Sequence, residues 1–176
     1  GQVSFPGGRI EAFDASPAAA ALREASEEVG LQARQATALG YLDPLLTITG
    51  FRVVPLVAMV EPGFVPRPDP GEVAEAFEVP LDLLLDPAML EEIELHFGGR
   101  PRHVLQSRYE RQRIWGVTAS TTWHSSRWSP RWLGSTMASA AGRLGPGRWW
   151  SVTSTCQPRA FAAAMPAWQA IPWSTV

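Results

Sequence analysis

The clearest periodic stretch of the chain is "SPAAAALREASEEVG", residues 16 to 30, where apolar and polar positions separate at about 100° per residue. Ala18, Leu22, Ala25 and Val29 fall on one arc, and Glu24, Glu27 and Glu28 on another well apart from it. Ser16 is a good N-cap, Pro17 suits the first helical position, and Gly30 can close the C-terminus in the left-handed conformation. The pattern predicts a helix over 17–29. Further along, "TALGYLDPLL" and "FRVVPLVAMVE" carry β-branched and aromatic runs bounded by Gly or Pro and predict strands. "PLDLLLDPAMLEEI" predicts a helical segment broken at Pro87, and "RHVLQSRYERQRIWGV" predicts one or two more strands. These periods are those of a mixed α/β domain.

The polar arc of the first helix is unusual in its sign. Glu24 and Glu28 form an i,i+4 like-charge pair, which costs about 0.2–0.5 kcal/mol. All three glutamates also lie near the negative end of the helix dipole. A solvated outer face is the ordinary setting for such a trio. Here, however, no Lys or Arg follows at i+4, the one basic neighbour is Arg23, and a glycine-rich turn, Pro6-Gly7-Gly8, precedes the helix by a short loop. A divalent cation would supply the missing charge. Clustered carboxylates without histidine or thiolate are hard oxygen ligands, which suit Mg²⁺ or Mn²⁺ and argue against zinc or copper.

Composition narrows the alternatives. With 176 residues, 45% of them hydrophobic, the chain can build one domain with a substantial core. Nothing in it approaches the roughly 20 apolar residues of a membrane span. One cysteine, Cys156, excludes an internal disulfide. No signal peptide is visible, so a soluble, cytoplasmic protein with no membrane partner is expected. His96, His103 and His124 share no metal-ligand spacing with one another or with Cys156 and are expected to be ordinary surface or core residues. There is no Gly-x-Ser-x-Gly elbow and no Walker loop, which leaves serine catalysis and P-loop phosphate binding without support.

The net charge of −2 conceals an asymmetry. All 17 acidic residues lie at or before Glu110, whereas residues after 120 contain five arginines, no Asp or Glu, and seven of the eight tryptophans. The chain changes character near Ser120. Residues 121–176 show no sustained period. Three readings compete for this tail: a nucleic-acid-binding segment, a segment packed on the domain, or out-of-frame translation of a GC-rich gene, which fits 15 arginines and no lysine. A binding face would carry its basic residues on an organised element, so no nucleic-acid partner is assigned. The tail is expected to be disordered or out of frame, and it receives no functional role.

"REASEEVGL", residues 23 to 31, resembles the Nudix hydrolase signature G-x5-E-x7-R-E-U-x-E-E-x-G-U, with U aliphatic. The match fixes Arg23, Glu24, Ala25, Glu27, Glu28, Gly30 and Leu31 at set spacing. Upstream the chain departs: Ala15 and Arg9 stand where the signature has Glu and Gly, with Gly8 and Asp14 one place early. That longer spacing, behind "GQVSFPGG", resembles the coenzyme A pyrophosphatase branch, as do "GFRVVPLVAMV", "GEVAEAFEVPLDLLL" and "RIWGVTAS". The resemblance covers residues 1 to about 120. It implies a Nudix α/β/α sandwich with a mixed sheet, lacking the strands that precede "GQVSFPGG" in that branch.

The same resemblance implies the chemistry. The expected reaction is metal-dependent hydrolysis of the pyrophosphate linkage of coenzyme A or acyl-CoA, to 3′,5′-ADP and 4′-phosphopantetheine. ADP-ribose or a dinucleotide is the alternative substrate, and a non-catalytic truncated remnant is the alternative of another kind. Glu24, Glu27 and Glu28 are the implied metal ligands, for Mg²⁺ or Mn²⁺. Arg23 would orient a carboxylate, either Asp14 or Glu11, between which the sequence does not choose. The general base would be Glu24 itself or an acid on a separate loop, Glu72 or Glu75.

Overall fold

A computed structural model describes residues 2–127 and 152–156. The strands are β1 (Gln2–Ser4), β2 (Ala36–Tyr41), β3 (Leu45–Leu46), β4 (Arg52–Val53), β5 (Leu56–Val60), β6 (Val73–Glu78), β7 (Glu91–Phe97), β8 (Arg100–Tyr109), β9 (Gln112–Trp115) and β10 (Val152–Cys156). The helices are α1 (Pro17–Val29), α2 (Leu81–Leu85) and α3 (Val117–Arg127). Strands and helices are interspersed rather than strictly alternating, with five strands between α1 and α2 and three between α2 and α3. The pairings differ from the expected mixed sheet: every described strand pair is antiparallel, in the orders β1-β10-β6, β2-β5, β3-β4 and β7-β8-β9. Short connections explain the β3–β4, β7–β8 and β8–β9 pairs, because two strands joined by a tight turn return antiparallel, whereas β1, β10 and β6 come together from distant parts of the chain. The β7–β8 connection is the two residues Gly98 and Gly99, both at positive φ, as the tight hairpin turn demands.

Helix α1 spans the residues its caps predict. The Ser16 hydroxyl accepts from the Ala19 amide at 3.1 Å, Pro17 opens the helix, and Gly30 closes it at φ 73°. Ala25 and Val29 are buried, with Leu31 and Phe64, against Ala36, Val60 and Ala76. Ala18 and Leu22 are only half-buried, whereas Ala20, off the predicted arc, is buried, so burial does not follow the single arc that the periodicity suggests.

One expected helix is replaced in part. After α2 and a single 3₁₀ turn at Pro87–Met89, the chain runs as β7 from Glu91, where "LEEI" reads as helical. Seven residues of β7 pair with β8, and that tertiary partner overrides the local preference.

The main core gathers Val3, Val79, Leu84, Ile114 and Ala119, with Phe5, Phe77 and Leu105 packed against them. It therefore joins β1, β9 and α3. Helix α3 runs through Arg127, across the boundary expected near Ser120, because Ala119 belongs to this core and the hydroxyls of Thr121 and Thr122 bond back to the carbonyls of Val117 and Ala119. The β10 strand lies between β1 and β6. Residues 128–151 and 157–176, the remainder of the Trp- and Arg-rich tail, lie outside the described residues.

The buried Thr118 hydroxyl donates to the Val3 carbonyl at 2.9 Å and fastens β1 to α3. Thr118→Val keeps the shape and removes that donor from a buried acceptor, so it should lower unfolding free energy by about 1–3 kcal/mol, read by urea denaturation.

Candidate active site

The loop between β1 and α1 is tied down by its own polar groups. The Asp14 amide donates to the Glu11 carbonyl at 3.0 Å, and the Glu11 amide returns a bond to Asp14 Oδ2 at 2.8 Å. This reciprocal turn presents the Asp14 carboxylate to α1. Arg23 meets it with two donors, Nε to Oδ1 at 3.2 Å and Nη2 to Oδ2 at 3.2 Å. Arg23 Nη2 also donates to the Arg9 carbonyl at 2.9 Å, which anchors the start of the loop. The choice between Asp14 and Glu11 is thus decided for Asp14, with Glu11 contributing backbone. The Arg23 guanidinium, then the Glu11 amide, hold the Asp14 carboxyl below its usual range, and Asp14 in turn raises the affinity of Arg23 for its proton.

The same guanidinium turns towards the glutamates. Arg23 Nη1 lies 2.9 Å from Glu24 Oε1 and 3.0 Å from Glu27 Oε2. One cation therefore faces three anions: Asp14, Glu24 and Glu27. The acidic face is partly compensated by this one basic neighbour, yet a negative excess remains. Nor is it a plain solvated face, since Glu24 and Glu28 are half-buried and only Glu27 is exposed. Burial pushes the Glu24 carboxyl above its usual range, Arg23 opposes the shift, and the charges of Glu27 and Glu72 add to it.

Gly8 explains how Glu24 comes to be buried. A Cβ on Gly8 would overlap the Glu24 carboxylate, so the absence of a side chain opens the space that the carboxylate fills. The neighbouring Gly7 has nothing within 4 Å of its Cβ position. The sequence marks this turn as glycine-rich, but only the structure separates the two glycines.

At the other end of α1, a second loop completes the acidic surroundings. The Arg67 amide donates to the Val29 carbonyl and the Asp69 amide to the Glu28 carbonyl, each at 2.9 Å, which satisfies two of the open carbonyls of the last turn. The Asp69 carbonyl then accepts from the amides of Glu72 and Val73, and this turn brings Glu72 within electrostatic reach of Glu24. Glu75 goes elsewhere. Its carboxylate accepts from Arg111 and, at 3.1 Å, from Gln112 Nε2 in the β8–β9 turn. Of the two candidate bases, Glu72 acts electrostatically on Glu24, while Glu75 bonds to Arg111 and Gln112.

Among the described residues no group of three or more His, Cys, Asp or Glu side chains closes on a common point suited to a metal ion. Glu24, Glu27 and Glu28 share a helix face, with Glu24 and Glu27 drawn onto Arg23. The donor chemistry still fits a hard divalent cation: carboxylate oxygens only, in negative excess, one of them partly desolvated. His103 and His96 pair with Glu92, at 2.8 Å, and Glu94, at 3.8 Å, on the exposed β7–β8 hairpin, apart from this cluster. His124 and Cys156 lie in α3 and β10, where their side chains are outside the described residues.

The NUDIX domain family matches residues 1–98, which contain the whole of this arrangement except the β8–β9 turn. The chain belongs to the NUDIX family. It is also 39% identical over 120 residues to proteins named Uncharacterized Nudix hydrolase NudL from Salmonella newport (strain SL254) and Salmonella enteritidis PT4 (strain P125109). The match takes in 68% of this chain and 62% of each relative, so the chain spans a little under two thirds of the length of these relatives. Nudix hydrolases generally use divalent metal ions. No described helix is long and apolar enough to cross a membrane.

Proposed function

We propose that this Nudix domain hydrolyses the pyrophosphate linkage of a nucleotide-containing substrate, coenzyme A or an acyl derivative by its resemblance to that branch, with Mg²⁺ or Mn²⁺. The observation that carries the proposal is the Glu24 carboxylate, half-buried against Gly8 and bonded to Arg23, on the helix that bears the matching signature. Glu24, Glu27 and Glu28 would hold the ions, once Glu24 and Glu27 turn from Arg23 towards a shared cation. Bound there, divalent ions would neutralise charge on the diphosphate and make water a stronger nucleophile.

The protein's own residues do the rest. Arg23 fixes the β1–α1 loop to α1 through Asp14 and the Arg9 carbonyl, and so sets where the glutamates stand. Glu72 or Glu24 takes the proton of the attacking water. Glu72 is favoured by its nearness to Glu24 and by the engagement of Glu75 with Arg111 and Gln112. The water oxygen bonds to one phosphorus and the bridging oxygen leaves on the other.

Residues 1–120 carry the activity in this proposal and residues 121–176 have no assigned part in it. The substrate is a small cytoplasmic nucleotide rather than nucleic acid or a membrane. Chromatography of coenzyme A, ADP-ribose and a dinucleotide after incubation with Mg²⁺ or Mn²⁺ tests it. Coenzyme A should yield 3′,5′-ADP. Cleavage of ADP-ribose alone would overturn the substrate while leaving the hydrolase, and cleavage of none would overturn both.

A further inference from the structure

Phe13 is the most exposed of the large apolar side chains described, at 74%, on the loop before α1, beside the acidic face. Burial does not account for it, since water covers most of its surface. Its ring is nevertheless held: the Arg23 guanidinium carbon sits over it, 5.6 Å from the centroid. Arg23 is fixed in turn by Asp14 and the Arg9 carbonyl, and the loop by the reciprocal bonds of Glu11 and Asp14. One face of an anchored aromatic ring is therefore on a cation and the other is open. The guanidinium that covers the first face is the one that reaches Glu24 and Glu27. Ring and carboxylates thus stand within one side chain of each other, as a nucleoside's base stands close to its own diphosphate.

We infer that the open face of Phe13 is a stacking platform for the nucleobase of the diphosphate substrate. The inference rests on the proposed hydrolase reading and deepens it, by adding a residue that selects nucleoside diphosphates over other diphosphates. A planar base stacks on any aromatic face, and the cation behind the ring adds its attraction. Phe13 is exposed, so replacing it leaves the packed core untouched.

The test compares binding of ADP and of inorganic pyrophosphate, each with Mn²⁺, by isothermal titration calorimetry on the wild type and on Phe13→Ala, Phe13→Leu and Phe13→Trp. Phe13→Ala and Phe13→Leu should weaken ADP by about 5- to 100-fold, the range base stacking commands, and leave pyrophosphate within about twofold. Phe13→Trp should retain ADP affinity. Unchanged ADP binding in Phe13→Ala overturns the inference, and so does Phe13→Leu binding ADP as well as the wild type, which would make the contact merely apolar. Equal losses for ADP and pyrophosphate also overturn it, because Phe13 would then act through Arg23 on the acidic face. A wild type that binds neither ligand with Mn²⁺ removes the hydrolase reading and this inference together, whereas the other failures leave the former standing.

Discussion

Glu28→Gln should reduce pyrophosphate hydrolysis by about 1,000-fold, since loss of a ligand to a charge-neutralising cation removes several kcal/mol of transition-state stabilisation. The fold should survive. Glu28 is half-buried on the polar arc of α1, outside the two buried apolar clusters, and glutamine keeps its size. Removing its charge also relieves the i,i+4 repulsion with Glu24, worth about 0.2–0.5 kcal/mol. Unfolding free energy should therefore stay within about 0.5 kcal/mol of the parent. Steady-state rates measured beside a urea unfolding curve separate the two effects. A folded Glu28→Gln variant with full turnover would contradict the assigned ligand.

Gly8→Ala should lower turnover by about 100-fold through displacement of the Glu24 carboxylate, the penalty expected when a reacting group is misplaced by about 1 Å. The added methyl occupies the space that the carboxylate fills. Gly8 is not among the glycines at positive φ, so its backbone accepts alanine without strain. The atoms in the way are the far end of a flexible side chain, which moves at small cost in stability. Activity is lost because the Glu24 carboxylate is displaced from the space beside Gly8, not because the domain unfolds. Gly7→Ala, one residue earlier with open space around it, is the control and should behave as the parent. Equal rates in the two variants would show that the position of Glu24 against Gly8 is immaterial.

What the sequence shows well is what neighbouring residues decide. Helix α1 begins and ends where Ser16, Pro17 and Gly30 place it, because capping depends on residues a few positions apart. The acidic arc is likewise legible from spacing alone. The partner of Arg23 is not, since Glu11 and Asp14 belong to one turn, and only the bonds from Arg23 to the Asp14 carboxylate show which one faces the helix. Glu72 and Glu75 are three positions apart, and they separate because one lies in the Asp69 turn and the other in β6, against the β8–β9 turn. Strand β7 is missed for a similar reason: "LEEI" has no local preference strong enough to reveal its pairing with β8. The antiparallel pairing of β7 with β8 follows from the Gly98-Gly99 turn, whereas the order β1-β10-β6 joins strands far apart in the chain, which no local pattern reveals. Phe13 is visible in the sequence as an aromatic in the loop before α1, but its use depends on Arg23 lying across one face.

The central claim is that the carboxylates of α1 hold the divalent ions of a Nudix pyrophosphohydrolase. Titration of the protein with Mn²⁺, followed by calorimetry for the parent, Glu24→Gln and Glu28→Gln, tests it most directly. Changes to groups merely supporting a metal ligand already cost about 10–100-fold in affinity, so each variant should bind Mn²⁺ at least 10-fold more weakly than the parent. Parent-like Mn²⁺ binding in both variants would contradict the claim.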